Sequence, residues 1–400
     1  MEITTTQKRV DETMKYWTTK LLIFILLLLT ALSAYNYFKK PFFSSSSDST
    51  SALDQPSLTP TPTQVAKKTL RSKDKITQLL AVPFDLNEFE KDSSSSARML
   101  RFIEDYQPGF VLYFGENIAS ATALLAKDRL YSYFTDTDYL PLLAVDHEGG
   151  LVQRLNGEGF SKLEPWQKIV TTYSSAQQKA VFNQSARELT AVGINVVFAP
   201  VVDLASQSAV LKTRAAADPE QVFASASNYI LSFSQYGIMS VIKHFPGIGA
   251  IRQDPHQTVT TLALRPNDTA IWSKLLNKFP NIGVMTAHVR LENKLAGQIC
   301  SLSAECLQEF TNSYQQVLLF TDDLNMKAAK AQGKDLPEKN LTQVASEAIL
   351  AGNDVLVFGK GVSPTSLEEI TLALTNQYED SENFRRQVDR ALAKILKIKK

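Results

Sequence analysis

Histidine and cysteine are scarce in this chain. Its 400 residues hold four histidines and two cysteines. None of them stand at His-x-His, HExxH or CxxC spacing, so neither a metal centre nor a redox pair is implied. Cys300 and Cys306 read as two buried thiols, with a disulfide open to them only in an oxidising compartment. An excess of one charge is missing too. Lys and Arg total 42, Asp and Glu total 41, and the net charge is +1. That balance, with no long basic run, excludes steering toward nucleic acid. No GxGxxG follows the first predicted strand, which argues against an open dinucleotide-binding sheet. No cofactor is expected.

What is present divides the chain into parts. The length suits one α/β barrel with additions. An apolar run from Leu21 to Phe38, between Lys20 and Lys39-Lys40, is about long enough to cross a bilayer. Tyr16, Trp17, Tyr35 and Tyr37 fall where interfacial aromatics belong. Lys8, Arg9, Lys15 and Lys20 precede the run, which favours a cytoplasmic N-terminus. The expectation is a cytoplasmic segment over 1–20 and a transmembrane signal anchor over 21–38. Through it the chain would be a single-pass protein of the inner membrane, with its main domain periplasmic or extracellular. A cleaved signal peptide ending near Ala34 is the alternative. Residues 39–73 are rich in Ser, Thr and Pro and read as a disordered linker. The folded domain is expected over 74–400.

Within it, short β-branched apolar runs alternate with helical patterns. The predicted strands are Ile76–Val82, Gly109–Phe114, Leu140–Val145 and Ile194–Pro200, then Ile238–His244, Ile282–His288, Gln316–Thr321 and Asp354–Phe358. Each is nearly continuous in apolar residues, as a strand buried on both faces should be. Asp218-Pro219 reads as a helix start. Gly193, Gly237 and Gly352 stand where helix-ending glycines belong. Eight such units predict a closed (β/α)₈ TIM-type barrel, with a doubly wound sheet as the alternative.

The chemistry-bearing residues gather at one end of those strands. His147, His244 and His288 fall at or just past strand C-terminal ends, and His256 lies in the loop after the fifth. Asp146, Glu148, Asp203, Asp254, Asp322 and Asp323 follow the same rule. In a barrel those ends build the active site. A single carboxylate there is more often a cap or an ion-pair partner. The cluster as a whole suits polyol recognition and acid/base work.

Six segments carry a resemblance. AVDHEGGLVQRL, FAPVVDLA, KHFPGIGA, DPH, MTAHV and FTDDLNM, in this order, resemble glycoside hydrolase family 3, and most of all its single-barrel β-N-acetylglucosaminidase branch. The resemblance implies a retaining, exo-acting hydrolase that removes terminal β-linked N-acetylglucosamine from peptidoglycan-derived or related glycans. Asp322 would be the nucleophile. His256 would be the acid/base, oriented by Asp254. Asp146, Arg154, Lys243, His244 and His288 would hold the sugar. Arg214, with Lys212 as its rival, would match an arginine of the loop after strand four. The chain departs from the family pattern at Ile248, where a second histidine is usual, and in the alanine-rich LKTRAAADP loop. These departures keep a second reading in view, a catalytically degenerate glycan-binding barrel. A β-glucosidase reading suffers from the lack of a second domain, and a phosphate-binding barrel from the lack of a glycine-rich loop near strands seven and eight.

Overall fold

The computed structural model describes residues 70–399, apart from 136–138, 206–209, 255–257, 293–297 and 333–336. Eight parallel strands form the centre. They are β1 (Leu80–Asp85), β2 (Phe110–Phe114), β3 (Leu142–Val145) and β4 (Ile194–Val197). After them come β5 (Met239–Phe245), β6 (Gly283–Thr286), β7 (Leu318–Thr321) and β8 (Leu356–Val357). In space they follow chain order from β1 to β7, and β8 pairs with β1 through Leu80↔Leu356 and Ala81↔Val357. The ring closes between β7 and β8, where Phe320 bridges Val355 and the Thr321 N–H donates to the Val355 carbonyl at 3.0 Å. All eight expected strands are present. The doubly wound alternative fails because that last pairing leaves no sheet edge.

Aromatic rings fill the interior. Phe320 of β7 meets Phe110 of β2 at 5.6 Å and Phe198, just past β4, at 5.7 Å. Those strands are not neighbours, so the contacts cross the barrel and make it a packed core rather than a pore. Local signals set the helices around it. The Asp218 carboxylate accepts from the N–H groups of Glu220 and Gln221 and starts the helix Pro219–Ser234. Gly352, at φ 111°, ends the helix Leu341–Ala351 in a left-handed turn that a side chain would strain.

Three expectations are corrected. The first strand does not begin at Ile76: Ser72–Thr77 is a helix. At its start the Asp74 carboxylate accepts from the Arg71 backbone N–H and from the Arg71 guanidinium, and this local pairing outweighs the apolar pattern. The folded part thus begins ahead of residue 74. Cys300 and Cys306 are not free thiols; they form a disulfide, with Cα atoms 5.2 Å apart, inside the range such a bond spans. The third correction concerns the membrane. The segment 21–38 lies outside the described residues, and no helix among the described residues is long and apolar enough to cross a bilayer. Their longest helices have 17 residues. That is about 25 Å of helix, short of a hydrocarbon core about 30 Å thick. A barrel preceded by a membrane-spanning helix, and with it a single-pass inner-membrane location, is therefore not upheld.

Candidate active site

A cavity of about 460 Å³ opens at the C-terminal ends of the strands. Asp146, Arg154, Arg214, Lys243 and His244 line it. Asp254 and Asp322 line it as well, beside Glu148 and Lys212. Seven expected site residues therefore share one space, although Asp146 and Asp322 are far apart in sequence. His256 lies outside the described residues, so only its neighbour Asp254 is located.

The centre of the charge network is Glu148. It stands two residues past Asp146, and alternation along an extended chain sends both carboxylates to one side. Glu148 is fully buried. It accepts from Arg214 through Nε at 2.7 Å and Nη2 at 2.8 Å, a bidentate grip. Lys243 Nζ lies 2.6 Å from Glu148 Oε1, the oxygen that Arg214 Nη2 also reaches, and 2.9 Å from Asp146 Oδ1. Burial opposes the charge on Glu148, but Lys243 and Arg214 outweigh it and hold the carboxyl at about 2. Burial likewise opposes the charge on Lys243, and Asp146 and Glu148 overcome it, so its ammonium is raised above the ordinary value. Arg154 Nη2 reaches Asp146 Oδ2 at 3.7 Å.

His244 is held from behind. Its Nδ1 sits 2.6 Å from Asp203 Oδ2, and Asp203 Oδ1 accepts from the Ile248 N–H at 2.7 Å. An ionised carboxylate only accepts, so Nδ1 carries the proton and Nε2 is left as the ring's other polar atom.

Two adjacent carboxylates differ in state. Asp322 follows β7, and its N–H donates to the Thr286 carbonyl at 3.0 Å. Burial opposes its charge, but His244, His288, the Asp323 N–H and Lys243 outweigh that and hold its carboxyl below the usual range. Asp323 is pushed up by burial, even though its Oδ1 accepts from the N–H groups of Asn325 and Gly359. Neighbouring groups with opposed shifts are how one site keeps distinct roles.

His288 is not among the residues lining the cavity. It stands behind the Asp322–Asp323 turn, with Nδ1 2.7 Å from Ser301 Oγ and Nε2 3.1 Å from the Asp323 carbonyl. Burial lowers its pKa despite both aspartates. His147, grouped with the others as a strand-end histidine, faces away from the cavity. Its Nε2 lies 2.6 Å from Ser185 Oγ on the helix Ser175–Ala191, and its ring packs near Phe233. The alternation that brings Asp146 and Glu148 together turns His147 the other way. Glu148 and Asp203 were visible in the sequence as strand-end carboxylates, but their tasks were not. That same alternation was the available signal for Glu148. Asp203 pairs with a residue 41 positions away, which no local pattern reports.

Comparisons with known proteins place the chain in a family. The chain is 34% identical over 265 residues to a protein of Tolumonas auensis named β-hexosaminidase, across 62% of this chain and 75% of that one. It is 32% identical over 291 residues to a β-hexosaminidase of Methylococcus capsulatus, across 70% of this chain and 83% of that one. Among solved structures, a β-N-acetylhexosaminidase from Beutenbergia cavernae superimposes with a TM-score of 0.73 at 22% identity, covering 83% of this chain and 99% of that one, a likeness of fold. The model of the glycosyl hydrolase family 3 N-terminal domain matches residues 71–398, the barrel almost from end to end, and the chain belongs to that family.

Proposed function

We propose that this glycoside hydrolase is a retaining exo-β-N-acetylglucosaminidase that works through a covalent glycosyl-Asp322 intermediate. The observation that carries the reading is a partly buried carboxylate, Asp322, whose pKa is held below the usual range, in the same cavity as Asp146, Arg154, Lys243 and His244. The Asp322 oxygen attacks the anomeric carbon as the glycosidic C–O bond breaks. His256, oriented by Asp254, gives its proton to the leaving oxygen. The neutral imidazole then takes a proton from water, and that water's oxygen displaces Asp322 from the anomeric carbon. This restores the carboxylate and the protonated histidine. Asp146, Lys243, Arg154 and His244 bind ring hydroxyls with charged or strongly polarised hydrogen bonds, which discriminate well. Arg214 aligns Glu148 and, through it, Lys243. His288 supports the nucleophile's turn from behind. The names of the relatives support a hexosamine as the sugar.

The test is hydrolysis of an aryl N-acetyl-β-glucosaminide. Asp322→Ala should lose roughly 10⁴-fold in kcat, the scale seen when one member of a catalytic unit is removed. His256→Ala should turn over slowly. A fluorinated substrate that slows deglycosylation should add one sugar mass to the wild-type chain and none to Asp322→Ala. A peptidoglycan-derived N-acetylglucosaminyl disaccharide, run beside a chitin-derived one, tests the proposed source of the glycan. Glycan binding with no turnover of any of these would replace the reading by a binding barrel.

A further inference from the structure

A second cavity, of about 820 Å³, lies among the outer helices and shares no lining residue with the catalytic one. The helices Ser175–Ala191 and Pro219–Ser234 supply most of its wall. Lys278, the last residue of the helix Pro266–Lys278, also lines it. The wall is rigid where it is deepest. Buried Gln178 donates from Nε2 to Ser225 Oγ at 2.9 Å and to the Tyr173 carbonyl at 3.2 Å, and its Oε1 accepts from Asn228 Nδ2 at 2.8 Å. A satisfied network of this kind fixes the two helices against each other. One polar atom of the wall stands outside it. Ser227 is only 4% exposed, and its Oγ has no hydrogen-bond partner. A buried hydroxyl left so is costly, and a ligand atom in the cavity would remove that cost.

The charges of the wall have one sign. No Asp or Glu lines the cavity, while Lys179 and Lys278 do. Both lysines are exposed. Neither makes an ion pair among the described residues, whereas Lys274, one turn before Lys278, is paired with Glu220. The start of the 17-residue helix Ser175–Ala191 also belongs to the wall and adds the positive end of its dipole. An acidic group therefore meets attraction here and no opposing carboxylate. A bare anion would leave the rest of the wall unused. The rings of Tyr173 and Phe223 line it too, and Lys278 Nζ stands 5.1 Å from the centre of the Phe223 ring. Ring faces beside hydroxyl and amide groups suit a sugar, which is apolar on its faces and polar at its edge.

We propose that this outer cavity binds an acidic sugar, a saccharide unit carrying a carboxylate or a phosphate. Lys179 and Lys278 hold the anion, and Ser227 bonds a ligand oxygen. The site is separate from the catalytic cavity and stands whether or not that cavity hydrolyses its substrate. Its role is to hold the protein on an acidic glycan.

The test is a ligand-observed NMR titration of the whole chain with glucuronate, glucose 6-phosphate, glucose and inorganic phosphate. One or both of the acidic sugars should bind about tenfold tighter than glucose, the worth of one charge-assisted hydrogen bond. The stronger of the two identifies the acid. The double variant Lys179→Ala/Lys278→Ala alters two exposed side chains, so the fold tolerates it. It should lose the tenfold advantage. Ser227→Val, close to serine in size, should weaken the acidic sugar about threefold, as loss of one hydrogen bond does. Both variants should keep kcat and KM for the aryl N-acetyl-β-glucosaminide within about twofold of wild type, because neither touches the catalytic cavity. Glucose binding as tightly as both acidic sugars, no binding of either, or binding unchanged in the double variant would overturn the site. Inorganic phosphate binding as tightly as the acidic sugars would also overturn it, by showing that the sugar ring is not read.

Discussion

At Glu148 one buried carboxylate faces two cations, Arg214, which it holds at both oxygens, and Lys243, which it shares with Asp146. Removing an anion from such a set leaves charge stranded in a poor dielectric. Glu148→Ala should therefore destabilise the fold by about 3–5 kcal/mol, read as a drop in urea midpoint, and should also abolish turnover by freeing Lys243 and Arg214. The same residue sets an acid limit. Its folded value of about 2 lies below the ordinary 4.5. A depressed carboxylate gives stability above its unfolded value and loses it as pH falls, here between about 4.5 and about 2. His147 adds an earlier loss. Burial lowers it from 6.5 to about 4 against the opposing pull of Glu188, so the unfolded chain binds its proton first and stability falls as pH drops through that window. Equilibrium unfolding across pH should show two successive declines, and His147→Leu should shrink the first, to which His288 also contributes, leaving the one near pH 3 unchanged. A wild-type profile flat from pH 6.5 to 4 would contradict the buried, neutral His147.

Among the elements, the short helix Cys300–Leu302 has an outsized position. The disulfide closes a loop with a sequence separation of 6. Inside that loop Ser301 contacts His288, and the Asn353 side chain donates to the Ser301 carbonyl at 2.8 Å. His288 in turn contacts the carbonyl of Asp323, next to Asp322. Chain entropy assigns a loop of this size about 2 kcal/mol. Cys306→Ser should lower Tm by a few degrees. It should also reduce kcat more than it changes KM, because the loosened partner supports the Asp322 turn and not the cavity wall formed by Asp146, Arg154 and Lys243. Thermal melts and steady-state kinetics of the oxidised chain, the reduced chain and the variant check both points. The helix Pro219–Ser234 shows the opposite case. Its start was legible from Asp218-Pro219 alone, since capping is a contact between near neighbours.

For the whole molecule, closure decides stability. The helix Glu382–Ile398 buries Phe384, Val388, Ala391, Leu392 and Ile395. Its Lys394 and Arg390 reach Asp354 at 2.8 Å and 3.2 Å, just before β8, and the other Asp354 bond goes to the Leu319 N–H of β7. The helix thus pins the seam where the ring closes. Each large apolar side chain contributes about 1.5–3 kcal/mol on burial, and the total stability of a domain is about 5–15 kcal/mol. Deleting residues 382–400 should leave a chain with no cooperative thermal transition by circular dichroism. A truncated chain that melts cooperatively would show that the seam holds without the helix.

The sequence by itself determined the strand count, the barrel and the end of the barrel that holds the chemistry. Those features are written in short-range patterns: apolar runs for strands buried on both faces, and capping residues beside each helix. The motifs determined the family, because they keep their order along the chain. Tertiary structure alone decided how the charges are shared. Glu148 gained its central role only when Arg214 and Lys243 converged on it from 66 and 95 positions away. Only packing set His288 behind the Asp322–Asp323 turn. A side chain's charge state depends on its burial and on partners distant in the chain, and neither quantity exists until the ring of strands has closed.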